Sequence, residues 1–243
     1  MMPLPSISTP TYELVLPSSG KKIKYRPFLV KEEKILIIAL ESQDTKEITN
    51  AIKQVLKDCI LTRGVKVEEL PTFDIEYIFL NVRGKSVGEN IDLIITCYDD
   101  EGTTVPVTVY IDEVQVQKDP EHSPDIKLDD SLTLRMRYPS LDQFIRNNFD
   151  FASDQDSDSI EKSFEIIADC VDMVYTEEDS WAASDCTKKE LISFIESMNS
   201  SQFKKIEKFF ETMPRLSHEI KVKNPKTGVV NEVTLEGLSS FFG

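Results

Sequence analysis

The chain lacks a C-x-x-C pair, a histidine cluster, a large basic patch and an apolar run of membrane-spanning length, and each absence removes a class of function. Cys59, Cys97, Cys170 and Cys186 are scattered singly, which argues against a zinc knuckle or a disulfide framework and for a reduced, cytosolic product. The two histidines, His122 and His218, have no neighbours that would make a metal cluster or a nucleophile with its base. With 28 lysines and arginines against 43 aspartates and glutamates, the net charge is −15. A phosphate backbone or an anionic membrane surface would repel such a chain, so neither nucleic acid nor a bilayer is an expected partner. Runs such as Ile35 to Leu40 fall well short of the ~20 apolar residues of a membrane span. No charged N-terminal end leads into a leader-like apolar stretch, and no repeat of solenoid period is present.

What is there supports an α+β fold: capped helices with a small antiparallel hairpin sheet, then a helical bundle lobe with a terminal hairpin. At 243 residues the chain can bury one large core with an appendage. Residues 1–10, rich in proline and serine, read as a flexible arm. Strand-like Tyr12 to Leu16 and Ile23 to Tyr25 flank a proline and glycine turn, and Arg26-Pro27 ends the second strand. Lys31 to Ser42 are strong helix formers. Asp44 and Glu47 cap a helix striped by Ile48, Ala51, Ile52, Val55, Leu56, Cys59 and Ile60. A third helix follows Pro71-Thr72 and is expected to stop near Gly84.

The period then changes to two. Ile91, Leu93, Ile95 and Cys97 share a face with Val105, Val107, Val109 and Ile111 across a turn at Asp99 to Gly102. A second hairpin is expected from Ile126 to Met136, and Ser140 with Gln143 would cap a short helix ending near Phe149. The acidic stretch 152–159 reads as a linker between an α+β domain, 11–151, and a helical lobe, 160–243. In that lobe one stripe runs Ile160, Phe164, Ile167, Val171, Val174 and Tyr175. Helices from Thr187 and around Phe203 to Met213 follow, and the last hairpin turns at Asn224 to Gly228.

Few residues carry chemistry. Gly84-Lys85-Ser86 looks like the end of a phosphate-binding loop, but Phe79 stands where its first glycine belongs and a helix precedes it, so a helix end is the better reading. Asp154, Asp156, Asp158 and Glu165 match part of a calcium loop. Ser159 replaces the turn glycine, and Asp158 with Glu161 already makes a capping box. No metal, cofactor or catalytic residue is expected.

One stretch is more informative. Tyr25-Arg26-Pro27-Phe28-Leu29-Val30-Lys31-Glu32-Glu33-Lys34 resembles the opening of baseplate hub proteins of T-even-type contractile-tailed bacteriophages. The resemblance continues at Leu70 to Leu80 and Arg83 to Glu89 and returns at Leu235 to Phe242, so it covers most of 11–149 and the end of the chain from about His218. It implies a non-enzymatic tail morphogenesis protein, either a hub subunit or a hub assembly chaperone. Its partners would be other hub or tail proteins and the tape-measure chain, met in the host cytoplasm during assembly and in the virion baseplate. Arg26, Phe28, Lys31, Glu32 and Lys34 are the expected partner-binding residues, with Trp181, Phe241 and Phe242 beside them, because arginine and aromatics anchor interfaces. Two alternatives remain: a transient tape-measure chaperone absent from the virion, and a cell-wall hydrolase using clustered carboxylates.

Overall fold

The computed structural model describes residues 7–100, 102–140, 158–237 and 240. Among them are six helices and eleven strands arranged in small antiparallel sheets, an α+β fold. The chain divides into two compact units, Met1–Gln117 with Arg215–Gly243, and Lys118–Pro214.

In the first unit, β1 (Tyr12–Val15) and β2 (Lys22–Tyr25) form a hairpin that pairs Leu14 with Ile23. Helices α1 (Val30–Ser42), α2 (Thr45–Cys59) and α3 (Thr72–Val87) follow. The Asp44 side chain caps α2 by accepting from the Lys46 and Glu47 amides, and Val55, Leu56 and Cys59 of its stripe are fully buried. Strands β3 (Asn90–Thr96) and β4 (Thr104–Tyr110) pair Ile91 with Val109, Leu93 with Val107 and Ile95 with Val105. The paired residues share one face, as the alternation predicts. A three-stranded sheet joins β5 (Gln115–Gln117), β10 (Arg215–Lys223) and β11 (Val230–Glu236) in the order β11-β10-β5. Leu80, Ile91, Cys97, Val114, Leu216 and Leu235 belong to one buried core.

Helix α3 continues past the expected stop at Gly84 and ends at Gly88, whose φ of 127° suits glycine alone. Gly84 serves packing instead. A Cβ there would lie 3.0 Å from the Ile111 Cδ1, so the missing side chain lets the helix approach.

In the second unit, β6 (Asp125–Lys127), β7 (Thr133–Met136), β8 (Val171–Tyr175) and β9 (Ser180–Ala182) make one sheet in chain order. Helices α4 (Asp158–Asp169), α5 (Lys188–Glu196) and α6 (Ser200–Glu211) complete it, with Leu134, Val171, Ile195, Ile206 and Phe209 in the core.

Two expectations need correction, and one falls outside the described residues. The helix from Ile160 ends at Asp169, and Val171, Val174 and Tyr175 form β8, because the β-branched residues of Val171 to Tyr175 find a partner strand in β7. The segment from 160 is therefore no purely helical bundle. The terminal hairpin belongs with the N-terminal residues, since β10 pairs with β5, so the compact units divide at 117/118 and 214/215 rather than across 152–159. The short helix expected before Phe149 and most of the expected linker lie outside the described residues.

Candidate functional site

Of the residues expected to bind partners, Arg26, Phe28, Lys31, Glu32 and Lys34 lie where β2 hands over to α1. Tyr25 bridges to Ile60, and the Arg26 amide donates to the Cys59 carbonyl at 3.0 Å, so the end of α2 holds the end of β2. The Phe28 amide then donates to the Ser86 Oγ at 2.9 Å, and that hydroxyl donates to the Val82 carbonyl at 2.6 Å. Replacing Ser86 with alanine is expected to cost about 1 kcal/mol, measured by urea unfolding, because a partly buried amide loses its acceptor.

Beneath this turn lies a buried charge pair. Arg26 Nη2 donates to Glu32 Oε1 at 3.0 Å, and the two side chains are 15% and 1% exposed. Glu32 Oε2 accepts from the Leu29 amide at 2.7 Å, so a side chain of the first turn satisfies the N-cap amide of α1. Lys31 Nζ reaches the same carboxylate at 3.2 Å from the solvent side, while Arg26 Nη1 donates to the Pro27 carbonyl at 2.9 Å. Burial pushes the Glu32 pKa up, but the hydrogen bonds from Arg26, Leu29 and Lys31 together hold it below its ordinary value. The charges are spent inside the chain. Arg26 and Glu32 thus brace the start of α1.

What they position is a helix with apolar residues on nearly every side. Glu32, Leu36 and Ala39 of α1 are buried, while Val30, Ile37 and Ile38 are 80%, 50% and 56% exposed. Successive helical residues are about 100° apart, so a run of six apolar residues from Ile35 to Leu40 cannot all face one neighbour. α1 packs on α2 and leaves the opposite face open. Lys34 and Glu41 are exposed on that face as well. Gln43, at a φ of 54°, ends the helix with a left-handed turn whose amide donates to the Leu40 carbonyl.

Among the other expected residues, Phe28 is partly buried, and Lys31 and Lys34 are exposed. Trp181 stands on β9 of the second unit, opposite Val174 and half exposed. Phe241 and Phe242 lie outside the described residues. The exposed isoleucines Ile37 and Ile38 were missed by residue-type reasoning. Their signal was the unbroken apolar run.

Elsewhere the chemically suggestive groups are engaged structurally. Asp99 accepts from Asn224 Nδ2 at 3.1 Å, from Asn231 Nδ2 at 2.7 Å and from the Thr227 hydroxyl, and these hydrogen bonds, Thr227 first, hold its pKa below the usual carboxylate value. They fasten the β10–β11 turn to the β3–β4 turn. His122 lies between Thr212 Oγ1 at 2.9 Å and the Tyr138 hydroxyl at 3.0 Å, and burial lowers its pKa. Burial also pushes the thiols of Cys59 and Cys170 up to about 11 and about 12, which keeps both protonated at neutral pH. Lys85 pairs with Glu89 on the helix end where a phosphate loop was weighed. Of the partial calcium loop, Glu165 lies in α4 and pairs with Lys188 at 3.1 Å, while Asp154 and Asp156 lie outside the described residues. Among the described residues no group of three potential ligands could hold a metal ion, and no helix is long and apolar enough to cross a membrane.

Comparison with known proteins gives one match. A family model described as T4 bacteriophage base plate protein matches residues 9–243, nearly the whole chain. No curated protein and no solved structure matches it.

Proposed function

Because this chain belongs to the T4 bacteriophage base plate protein family, we propose that it is a baseplate hub subunit or hub assembly chaperone working by protein binding, with the open face of α1 as its docking surface. The single observation that carries the docking surface is the exposure of Val30, Ile37 and Ile38 on a helix whose start is braced by a buried charge pair. Exposed apolar side chains held on a rigid mount favour association, since little conformational freedom is lost when a partner covers them. The hub role rests on the resemblance of Arg26 to Lys34 and of the chain's end to hub proteins. The net charge of −15 would steer the chain away from DNA and toward basic patches on other tail proteins.

Co-expression with the neighbouring tail genes, followed by affinity recovery, tests this reading. Ile38→Lys is expected to lower recovery of a baseplate partner by about tenfold or more, since a lysine placed in a desolvated contact must bury its charge. Circular dichroism should be unchanged, because Ile38 faces solvent in the isolated chain. Undiminished recovery would remove α1 as the docking surface. Mass spectrometry of purified virions separates the two roles: stoichiometric presence marks a hub subunit, and absence marks an assembly chaperone.

A further inference from the structure

We infer that two copies of this chain pair through the outward faces of their α1 helices, antiparallel, about a two-fold axis passing between Ile37 and Ile38. The inference deepens the reading of α1 as a docking surface and rests on it. Its occupant is argued from the order of side chains along that face. Opposite the buried line of Glu32, Leu36 and Ala39 run Val30, Lys34, Ile37, Ile38 and Glu41. The apolar pair sits in the middle, with a cation before it and an anion after it. Lys34 and Glu41 are equally far from the midpoint.

A two-fold axis perpendicular to two antiparallel helices exchanges positions equidistant from it. Each Lys34 therefore meets Glu41 of the second copy, while the four isoleucines close on each other between the two ion pairs. A parallel pairing would set Lys34 against Lys34 and Glu41 against Glu41, which like-charge repulsion disfavours. Neither residue makes an ion pair within the chain among the described residues, so both are available. The face is thus complementary to itself in one orientation only. Two helices of this kind touch over a short length, so the dimer is a weak one that forms as concentration rises.

Sedimentation of the full chain over a range of concentrations reads the equilibrium directly. The wild type is expected to pass from monomer to dimer, and Ile38→Lys to shift the midpoint upward by about tenfold or more. Lys34→Glu and Glu41→Lys should each weaken the dimer by about tenfold, because each creates two like-charge contacts. The double variant Lys34→Glu/Glu41→Lys should restore it. So should an equimolar mixture of the two single variants, in which every contact again joins opposite charges. All three positions are exposed, and circular dichroism checks that each variant keeps its fold. A wild type that stays monomeric throughout, or single variants that neither the double variant nor the mixture rescues, would overturn the inference. Were Ile38→Lys still to abolish recovery of another baseplate protein while the wild type sediments as a monomer, α1 would remain a docking surface and only its second-copy occupant would be lost.

Discussion

Arg26→Met is expected to destabilise the first unit by about 3–5 kcal/mol, because it leaves the buried Glu32 carboxylate without its main counter-charge. The Glu32 side chain is only 1% exposed, so it cannot recover the lost interaction from water. Its remaining donors are the Leu29 amide and the tip of Lys31. Amide exchange across β2 and α1 measures the loss where it arises. The double variant Arg26→Met/Glu32→Leu should be less damaged than Arg26→Met alone, since apolar groups of similar size can replace a buried ion pair at little cost. A single variant within about 0.5 kcal/mol of wild type would contradict the role given to this pair.

The same pair sets a pH dependence. The folded pKa of Glu32 is held below the ordinary value of 4.5. Its stabilisation is therefore fully present above that value and is lost as pH falls through the lower, folded value. Amide protection of β2 and α1 in the wild type should accordingly decline in that acidic window, and Arg26→Met, which removes the chief cause of the depression, should lack this component of the decline.

Leu216→Ala is the second large effect, about 2–5 kcal/mol, because the side chain is completely buried and truncation leaves a cavity. Its location makes the result informative. Leu216 on β10 pairs with Val116 on β5; Leu216 belongs to the core that Ile91 and Val109 share, and Val116 packs against it. Loss of amide protection should therefore appear in β3, β4 and β5 as well as in β10 and β11. Loss confined to residues 215–243 would contradict the assignment of the terminal hairpin to the N-terminal unit.

How much of this could be read from the sequence depended on the range of the interaction involved. Local signals read well: the Asp44 cap, the α2 stripe and the shared face of the β3–β4 hairpin all follow from neighbours within a few residues. Long-range pairing did not. Nothing local in Arg215 to Lys223 announces β5 as its partner, and nothing in Val171 to Tyr175 separates a helical stripe from a strand that β7 claims. At the candidate site, the charged residues Arg26 and Glu32 were legible in the sequence, but not that they bury a charge pair at the start of α1. Arg26 and Glu32 lie six apart and satisfy each other, a pairing that depends on the turn at Pro27 bringing α1 back over the end of β2. The apolar face was visible only as a run too long for one helix flank to bury.

The most direct test of the central claim is solvent labelling of a cysteine placed at position 38, comparing the dilute isolated chain with the chain inside assembled baseplates or the hub intermediate it joins. The account predicts rapid labelling of Ile38→Cys in the dilute chain and strong protection in the assembly, with buried Cys59 slow in both. Equal labelling of position 38 in the free and assembled states would show that the outward face of α1 is never covered, and would contradict the account.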